Sequence, residues 1–543
     1  MAIGPASVSA SAEEVDTGRL EDASPRRILL IVLAIVAATE IVPFHYTFIS
    51  MAVRLIGPDF PSAGSQLAWL NTLYALVGGV AVPVAGKLSD MVGKKRVILV
   101  CLVLSMVGSA LDALTHSWTA LLVGRALQGL AFPVLVISYG LIRDLVPRRM
   151  VPVAIAVAGG GTGMGAVLGP IAGGALTDHY SWRSLFWFCT LYTGVTGLLM
   201  LLLVPESKLR VRSRLDYLGT LLLGSGVGLV LIYLSRGSDW GWGQGATLAW
   251  LIGGLVLLVL FYAWETRTPE PIMSPVLLRS PRLVSLLVWA FLLNICTQGL
   301  SYLLGYLAEG PGGATGDALK QQVAAGAAQQ AAQQSGAPLA SLQQYFTVQG
   351  DLPGLNLTLF QFTVRILLVM SVLYVVVAPL TGWSATRFGL RLPAAACAFF
   401  FGLGSLLLYY FHGSVLQLAL CALPLGVGAG IFLGTVPNML IEAVPQEQQG
   451  ASAGMYGVFS SFGSATATAV AAAVMATHPL VLHVGLPGHE SNTELKSGAL
   501  AQLSTETAYT RLFLIFAGVA LVGLVVGLLM RQYRKPATGG LHS

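Results

Sequence analysis

The sequence predicts an all-α membrane protein with about fourteen transmembrane helices. Of its 543 residues, 55% are hydrophobic and only 10% are charged, which leaves too little polar surface for a water-soluble globule. Apolar runs of roughly 17 to 25 residues, long enough to cross the hydrocarbon of a bilayer as a helix, recur along nearly the whole chain. Basic residues also concentrate in alternate loops, which is typical of multi-pass membrane proteins.

The predicted spans follow one another along the chain, most of them with short polar loops between. Their approximate bounds are residues 28–53, 66–85, 97–114, 118–142, 151–176, 185–204, 215–235, 246–264, 283–307, 359–383, 392–411, 415–440, 451–476 and 510–530. The chain before the first apolar run is polar and lacks a basic start, and that run is too long for a cleaved signal peptide. We therefore expect this first apolar run to be the first transmembrane span. All five cysteines fall inside predicted spans, so we expect no disulfides.

The distribution of basic residues sets the expected orientation. Of the 30 lysines and arginines, about 22 lie on the side of the amino terminus, about 6 on the opposite side and 2 within spans. Because Lys and Arg are enriched in cytoplasmic loops, we expect a protein of the cell (inner, cytoplasmic) membrane with both termini in the cytoplasm. The bases form no continuous stripe, so the net charge of +6 does not indicate nucleic-acid binding.

Polar stretches divide the chain into units. We expect a cytoplasmic tail at 1–27, six-helix bundles at 28–204 and 283–530, an inserted helix pair at 215–264 and a second cytoplasmic tail at 531–543. External loops at 308–357 and 478–506 interrupt the second bundle. The first of these loops contains a segment rich in Ala and Gln, for which a surface helix and a flexible loop are both open.

One motif occurs twice. GKLSDMVGKKRV at 86–97 is followed much later by PLTGWSATRFGLRLP at 379–393, which keeps the turn glycines and bases but has Thr386 near the place of the acid. Two related halves around a central cavity are common among transporters.

The first copy of this motif predicts a tight connection between two helices. Gly86 and Gly93 allow a close crossover. Asp90 is expected to face a helix amino terminus or an arginine, while Lys94 and Lys95 hold the loop at the cytoplasmic face. A generic basic loop is the alternative, and it explains the bases but not the spacing Gly-x-x-x-Asp-x-x-Gly.

The fourth predicted span carries a charge. Arg125 lies about seven residues from the expected outer end, and Gln128, one turn further on, shares its face. A charge at that depth is expensive, so we expect Arg125 to face a cavity or a partner, with a purely structural buried arginine as the alternative.

The fifth predicted span carries a glycine stripe. Gly161, Gly165, Gly169 and Gly173 recur every four residues, which places them on one helix face and lets a neighbouring helix approach closely. Pro170 is expected to bend this helix. Ordinary close packing is the alternative to a mechanistic role. A nucleotide-binding glycine loop does not fit, because no strand precedes the segment.

The first span contains an acid. Glu40 lies roughly 18 Å from the expected inner end, near the middle of the bilayer, and is the only carboxylate that we place so deep. We expect it to be protonatable, paired with a base or both, with Arg125 as the candidate partner; a role in capping a neighbouring helix is the alternative. His45 is expected to be a polar residue of the cavity that points away from Glu40, and with Glu40 and Arg125 it is a candidate for proton coupling.

The second bundle offers fewer polar candidates. Asn294, Gln298 and Tyr302 share one helix face and line the cavity or form hydrogen bonds between helices. Arg365 is the other embedded base. With so few charges, the cavity is expected to be largely apolar and to favour lipophilic substrates.

These motifs together resemble the major facilitator superfamily and, within it, the fourteen-helix drug:proton antiporter branch. The matches are the loop 86–97, Arg-x-x-Gln-Gly at 125–129, Gly-x-x-x-Gly-Pro-x-x-Gly-Gly at 165–174, SWRSLF at 181–186 and LDYLG at 215–219. The resemblance implies two six-helix bundles plus two inserted helices, with Asp90 as a latch between the bundles. It also implies that Arg125 takes part in proton coupling. The antiporter signature would comprise Gly165, Gly169, Pro170, Gly173 and Gly174. His45 stands where that branch has an acid.

The expected function is therefore proton-coupled export of lipophilic or amphipathic small molecules by alternating access. The proton gradient would supply the energy, and we expect no cofactor, metal or enzymatic activity. The expected partners are the substrate and membrane lipid, with the chain acting as a monomer. Export of one specific lipid or metabolite, and docking of an adaptor protein through the external loops, are the alternatives.

Overall fold

The computed structural model describes residues 18–56, 59–60, 69–210, 216–269, 271–273, 275–444, 448–486, 489–494 and 504–536. Parts of the predicted tails, of the connection before the inserted pair and of the second external loop lie outside these ranges.

Ten helices make up the first part of the chain. They are α1 Pro25–Thr39, α2 Ile41–Ile56, α3 Trp69–Val92, α4 Lys94–Leu114, α5 Trp118–Gly129, α6 Phe132–Leu145, α7 Val151–His179, α8 Arg183–Leu203, α9 Tyr217–Trp240 and α10 Gly245–Glu265. Two pairs of short helices, α1 with α2 and α5 with α6, each form one span, because Glu40 and Leu130 between them keep right-handed helical backbone angles.

The remaining helices alternate with three strands. They are α11 Pro281–Glu309, α12 Gly313–Ser335, α13 Leu339–Leu342, α14 Leu359–Phe362, α15 Leu368–Phe388, α16 Arg391–Tyr410, α17 Val415–Ala443, α18 Gln449–Ala476 and α19 Glu506–Leu529. The strands are β1 Phe346–Gln349, β2 Val481–Leu486 and β3 His489–Glu494. A single π-helical turn, Thr363–Leu367, joins α14 to α15.

The helices are long and apolar enough to confirm the predicted fold class. Thirteen segments of the described chain qualify as membrane spans by length and hydropathy. A further long helix, α7, has 29 residues and runs without a break through Pro170. The predicted span at 359–383 differs in detail, because it begins with α14 and the π turn before α15 continues it.

Buried apolar side chains form two main clusters, one in each half of the molecule. The first half comprises α1 to α8 and the second comprises α11 and α14 to α19. Leu223, Val227 and Leu231 of α9 belong to the cluster of the second half, together with Val82 of α3. The inserted pair therefore packs across the boundary between the halves.

In both copies of the repeated motif a glycine with positive φ separates two helices. Gly93 separates α3 from α4 with φ 126°, and Gly389 separates α15 from α16 with φ 77°. Both values lie in the region that strongly favours glycine. Pro83 and Pro379 stand at matching places inside the preceding helices, so the repeat predicted from sequence is confirmed.

The halves meet closely at the end of the molecule that carries these glycine turns, which we call the basic end. A Cβ added to Gly454 of α18 would lie 2.6 Å from Pro83 Cα of α3. On the other side of the molecule, a Cβ on Gly382 of α15 would lie 2.6 Å from the carbonyl oxygen of Pro152 in α7. Asn438 of α17 donates a 3.2 Å hydrogen bond to the same oxygen.

The inserted pair is fixed by polar contacts at the basic end. Asp216 Oδ1 accepts from the Gly219 N–H at 2.9 Å and so caps α9, while its Oδ2 accepts from the Trp264 indole at 2.8 Å. Lys87 at the end of α3 donates to the carbonyl oxygen of Pro271 at 3.0 Å. Helix α9 packs against both α3 and α18, and α10 packs against α9.

The two external loops fold into one unit at the opposite end, which we call the sheet end. Strands β1, β2 and β3 form an antiparallel sheet in that order, with Phe346 opposite Val484. Helix α12 covers the sheet through Ala324 and Ala328, which confirms a helix for the Ala/Gln-rich segment. The sheet was not predicted. The unit is tied to the second half, for example by the 3.0 Å bond from the Glu506 N–H to the Asp351 carbonyl oxygen.

Candidate functional site

The motif at 86–97 forms a buried ion-pair network at the basic end. Lys94 Nζ lies 3.3 Å from Asp90 Oδ1 and 3.0 Å from Asp144 Oδ2. Ser207 donates to the same Asp144 oxygen at 2.6 Å. The side chain of Lys94 is buried and bridges two acids, whereas its role at the cytoplasmic face stays a prediction. Asp90 accordingly pairs with a lysine, where we expected an arginine or a helix amino terminus.

The neighbouring residues of the motif contact the chain that follows α8. Glu206 accepts hydrogen bonds from the N–H groups of Lys95 (3.0 Å) and Arg96 (3.1 Å), which places a carboxylate at the amino terminus of α4. Lys95 Nζ donates to the Leu201 carbonyl oxygen at 2.8 Å. Gly86 contributes its carbonyl oxygen, which accepts from Ser89 Oγ at 2.7 Å. The loop is thus a packed junction of α3, α4 and α8.

Glu40 lies inside the first half and is only 6% exposed. Its Oε2 accepts a 2.7 Å hydrogen bond from the Gly165 N–H of α7, while Oε1 has no partner among the described residues. The predicted pairing with Arg125 is wrong, because that guanidinium contacts other groups. No base in the described part of the chain lies in ion-pair contact with Glu40.

The glycine stripe of α7 is what lets Glu40 approach. A Cβ on Gly161 would lie 2.5 Å from Val36, and one on Gly165 would lie 2.6 Å from Glu40 Oε2 and 2.7 Å from Pro43. Gly169 continues the contact against Thr47. The predicted close approach of a neighbouring helix is confirmed, and that neighbour is the first span. Further along α7, Gly173 is also buried, whereas a Cβ on Gly174 would meet no atom within 4 Å.

Arg125 is 0% exposed and sits in a polar cluster of the first half. Its Nε donates to the Leu70 carbonyl oxygen at 2.9 Å, its guanidinium lies 4.7 Å above the Tyr74 ring, and one terminal nitrogen donates to Gln128 Oε1. Arg125 and Gln128 thus share a helix face as predicted, and their side chains are in contact. Gln128 in turn donates from Nε2 to Asp112 Oδ2 at 2.9 Å.

Asp112 is a buried carboxylate that was not among the predicted site residues. It lies on α4, two residues before that helix ends, and is 0% exposed. Because Asp112 lies near the end of α4, the expectation that Glu40 is the only carboxylate near the middle of the bilayer stays a prediction. The sequence contained a signal for it, because Asp112 is the one charged residue of the apolar run 97–114.

His45 is buried, which corrects the prediction of a cavity residue. Its Nε2 lies 3.0 Å from Ser109 Oγ of α4, and its ring stands edge-on to Tyr74 with the ring centres 5.7 Å apart. His45 and Glu40 thus point to different helices, α4 and α7, as their spacing of five residues predicts.

The candidates of the second half have different environments. Asn294 is buried and accepts from Ser460 of α18 at 3.2 Å, so it forms the hydrogen bond between helices that was one of its two predicted roles. Gln298 is half-buried and makes no side-chain hydrogen bond among the described residues. Tyr302 packs against Tyr306, with the ring centres 4.6 Å apart and the ring planes tilted by 43°. Arg365 lies in the π-helical turn and is exposed.

Tyrosines connect the two halves across the space between them. Tyr46 of α2 is 45% exposed although it lies within a span, and it is within electrostatic range of Tyr302 in α11. Tyr139 of α6 is likewise within range of both Glu40 and Tyr456 of α18. Tyr456 shares hydrogen bonds with Asn294 and Ser460. Tyr139 and Tyr456 therefore lie one after the other between Glu40 and the polar residues of the second half.

The motif SWRSLF anchors the sheet end of the first half. The Trp182 indole and the Arg183 guanidinium donate to Asp59 Oδ2 at 3.0 and 2.9 Å, and these bonds hold the pKa of that carboxyl below its usual range. Arg183 also lies 4.2 Å above the Trp182 ring. This motif has a structural role in the loop between α2 and α3.

Two helical halves with a repeated turn motif, meeting around buried charges and tyrosines, define a multi-pass membrane transporter. The family model of the Major Facilitator Superfamily matches residues 29–332 and 322–542. The chain belongs to that superfamily.

Curated relatives agree with this assignment. The MFS-type transporter Rv1877 of Mycobacterium tuberculosis is 33% identical over 287 residues, which are 52% of this chain and 42% of the relative. The tetracenomycin C resistance and export protein of Streptomyces glaucescens is 30% identical over 251 residues, 46% of each chain. The matched regions thus span about half the length of these relatives.

A solved structure supports the fold alone. The proton:xylose symporter XylE aligns with 95% of this chain and 97% of its own at a TM-score of 0.57, with 13% sequence identity.

Proposed function

We propose that this chain is a proton-coupled antiporter that exports lipophilic or amphipathic small molecules across the cell membrane. The observation that carries the proposal is Glu40, a carboxyl group inside the membrane with one oxygen free of partners in the described part of the chain. Glu40 is buried and lies in ion-pair contact with no base among the described residues, so its charged form is poorly stabilised and its protonation can alternate during transport.

The basic end is the cytoplasmic end in this proposal, with both termini on that side. The excess of Lys and Arg at that end supports this orientation. The halves are closed together there, at Gly454 against Pro83 and at Gly382 against Pro152. Asp90, Lys94 and Asp144 lie beside this contact and act as the latch that holds it until a proton or substrate changes the balance.

The tyrosines between the halves support a lipophilic substrate. Tyr46, Tyr139, Tyr302 and Tyr456 present flat apolar rings with a polar tip, which suit amphipathic molecules and especially organic cations. The relative from Streptomyces glaucescens is named for tetracenomycin C resistance and export, which is consistent with such a substrate class. No cofactor is required, because the proton gradient supplies the energy.

Dye transport in inside-out vesicles tests the proposal. We expect the parent chain to accumulate a lipophilic cationic dye only when the vesicle interior is acidic. Glu40→Gln keeps the shape of the side chain but cannot ionise, so it should lower this accumulation at least about ten-fold, as expected for loss of an essential proton-transfer group. The matched control is Glu21→Gln, the same change at an exposed acid of the same half.

Two results would contradict this proposal. If Glu40→Gln equals the parent in gradient-driven transport, the proton site lies elsewhere. If the parent moves dyes equally well without a pH gradient, proton coupling itself fails.

A second role is suggested by the unit at the sheet end. Both external loops join in one sheet with α12 on it, which is a larger outer surface than the spans require. We propose that this surface docks an adaptor protein in addition to the transport function. Replacing residues 313–349 and 481–494 by short linkers should then abolish resistance in cells but preserve dye transport in vesicles. Loss of both would indicate a role in folding.

A further inference from the structure

A second buried carboxyl group lies in the first half, on a different helix from Glu40. Asp112 of α4 is 0% exposed. Its Oδ2 accepts the 2.9 Å hydrogen bond from Gln128, and its Oδ1 has no partner in the described part of the chain. A Cβ on Gly124 of α5 would overlap this oxygen, so the carboxyl group is pressed against the backbone of that helix.

The charge of Arg125 makes this carboxyl group necessary. A fully buried guanidinium needs a compensating negative charge, since an unpaired charge in the membrane interior is strongly unfavourable. Asp112 supplies it through Gln128, which donates to the acid with its amide nitrogen and accepts from Arg125 with its oxygen. One terminal nitrogen of Arg125 still has no hydrogen-bond partner among the described residues. The cluster is therefore charge-balanced but incompletely bonded.

Besides Asp112 itself, several titratable groups belong to the cluster around the pair formed by Asp112 and Arg125, and they come from four helices. They are Arg125 of α5, Tyr74 of α3, His45 of α2 and Cys189 of α8. Asp112 is the one carboxylate of this cluster in the described residues, so a change of net charge by an acid can occur only there.

The position of Asp112 along the helix also matters. It lies about 3 Å along the axis from the end of α4, at the sheet end of the molecule, whereas Glu40 lies at the junction of α1 and α2. In the proposed orientation the sheet end faces the outside. Asp112 is therefore nearer than Glu40 to the side from which a proton would enter.

We propose that Asp112 binds a proton from the outer side and releases it during the transport cycle, with Gln128 passing the change of charge to Arg125. This inference rests on the proposed antiport function. With Asp112 ionised, the amide of Gln128 is held between the two charges. With Asp112 protonated, Arg125 loses its counter-charge and is retained only by the Leu70 carbonyl oxygen, the Tyr74 ring and the amide oxygen. Protonation of Asp112 thereby changes the electrostatic force on Arg125 and, through Arg125, the force on α5.

Infrared difference spectra tell proton binding at Asp112 apart from the transport function. The purified full-length chain in liposomes is taken through a pH titration, and the carbonyl stretch of protonated carboxyl groups is recorded. We expect Asp112→Asn to lose one component of this band that Glu40→Gln keeps. Asp59→Asn, the same change at an exposed acid of the same half, should keep it as well. An unchanged band in Asp112→Asn overturns the proposal, whether or not the chain transports protons.

Transport measurements then place the proton in the cycle. Asp112→Asn should lower dye accumulation driven by an acidic vesicle interior at least about ten-fold, with a changed pH profile for the transport that remains. If it keeps the parent profile while Glu40→Gln loses it, the antiport function stands and Asp112 is only a structural counter-ion. If the parent shows no proton coupling, the infrared titration of Asp112→Asn still tests independently whether Asp112 binds a proton.

A milder variant covers the case in which Asp112→Asn does not fold. Gln128→Met keeps the carboxyl group of Asp112 but removes the donor to its Oδ2 and the link to Arg125. We expect the midpoint of the infrared titration to shift, since hydrogen bonds to a carboxylate change its proton affinity. An unchanged midpoint would count against Gln128 as the connecting group.

Discussion

Replacing Gly165 by alanine is expected to abolish transport and to destabilise the first half. The added methyl group would lie 2.6 Å from Glu40 Oε2 and 2.7 Å from Pro43 Cγ, both nearer than carbon and oxygen atoms tolerate. Helix α7 must then move away from the first span. That movement breaks the 2.7 Å hydrogen bond from the Gly165 N–H to Glu40. Overpacking of this kind typically costs about 1–3 kcal/mol of folding free energy.

The same helix provides the control for this experiment. Gly174→Ala adds the identical methyl group where no atom lies within 4 Å, so it should behave like the parent. The measurements are the thermal stability of the purified protein and gradient-driven dye transport. Parent-like transport by Gly165→Ala would show that the contact between α7 and Glu40 is dispensable.

Replacing Lys94 by methionine is expected to have the second large effect. Lys94 shares its ammonium group between Asp90 and Asp144, and all three side chains are buried. Removing one partner of a buried ion pair typically costs about 3–5 kcal/mol, because a charge is left without compensation. Here two carboxylates lose the same cation at the closed contact between the halves.

The exposed base two residues further on serves as the control. Arg96→Gln removes a positive charge from the same turn of α4, but the Arg96 side chain is 69% exposed and should contribute little. Thermal unfolding and the reactivity of a cysteine introduced at the basic end would be compared for both variants. A stability equal to that of the parent in Lys94→Met would rule out the buried network as a latch.

The helices could be predicted from sequence because the bilayer fixes their length. Apolar runs of span length leave little ambiguity, and the repeat around Gly93 and Gly389 already indicated two related halves. The glycine stripe of α7 was informative for the same reason, since four-residue spacing fixes a helix face. What it could not tell is which helix lies against that face.

The polar contacts were harder to predict because they join distant parts of the chain. Asp112 and Gln128 are 16 residues apart, on consecutive helices. Because apolar residues surround the acid in the sequence, Asp112 was interpreted only as part of the end of a span. Glu40 and Arg125 are the opposite case: both are buried charges of the same half, and opposite sign alone suggested a pairing that the helix positions do not allow.

The sheet was invisible in the sequence for a similar reason. Strand β1 has only four residues and pairs with β2, from the other external loop, through Phe346 and Val484. Neither loop shows a long alternation of polar and apolar residues, so neither indicates a strand alone. The Ala/Gln-rich helix, by contrast, depends on local propensity, and it was one of the two conformations left open for that segment.

Because α9 packs against both α3 and α18, the two flanks of the transporter differ in how they face the lipid. The two halves adjoin along two seams, one between α3 and α18 and one between α7 and α15. Helix α9, backed by α10, shields the first seam from the bilayer, and Gly224 seats it against Val80. Of these two seams, the inserted pair therefore leaves the one between α7 and α15 open to a molecule dissolved in the hydrocarbon. The glycine stripe and Glu40 lie on that flank of the molecule.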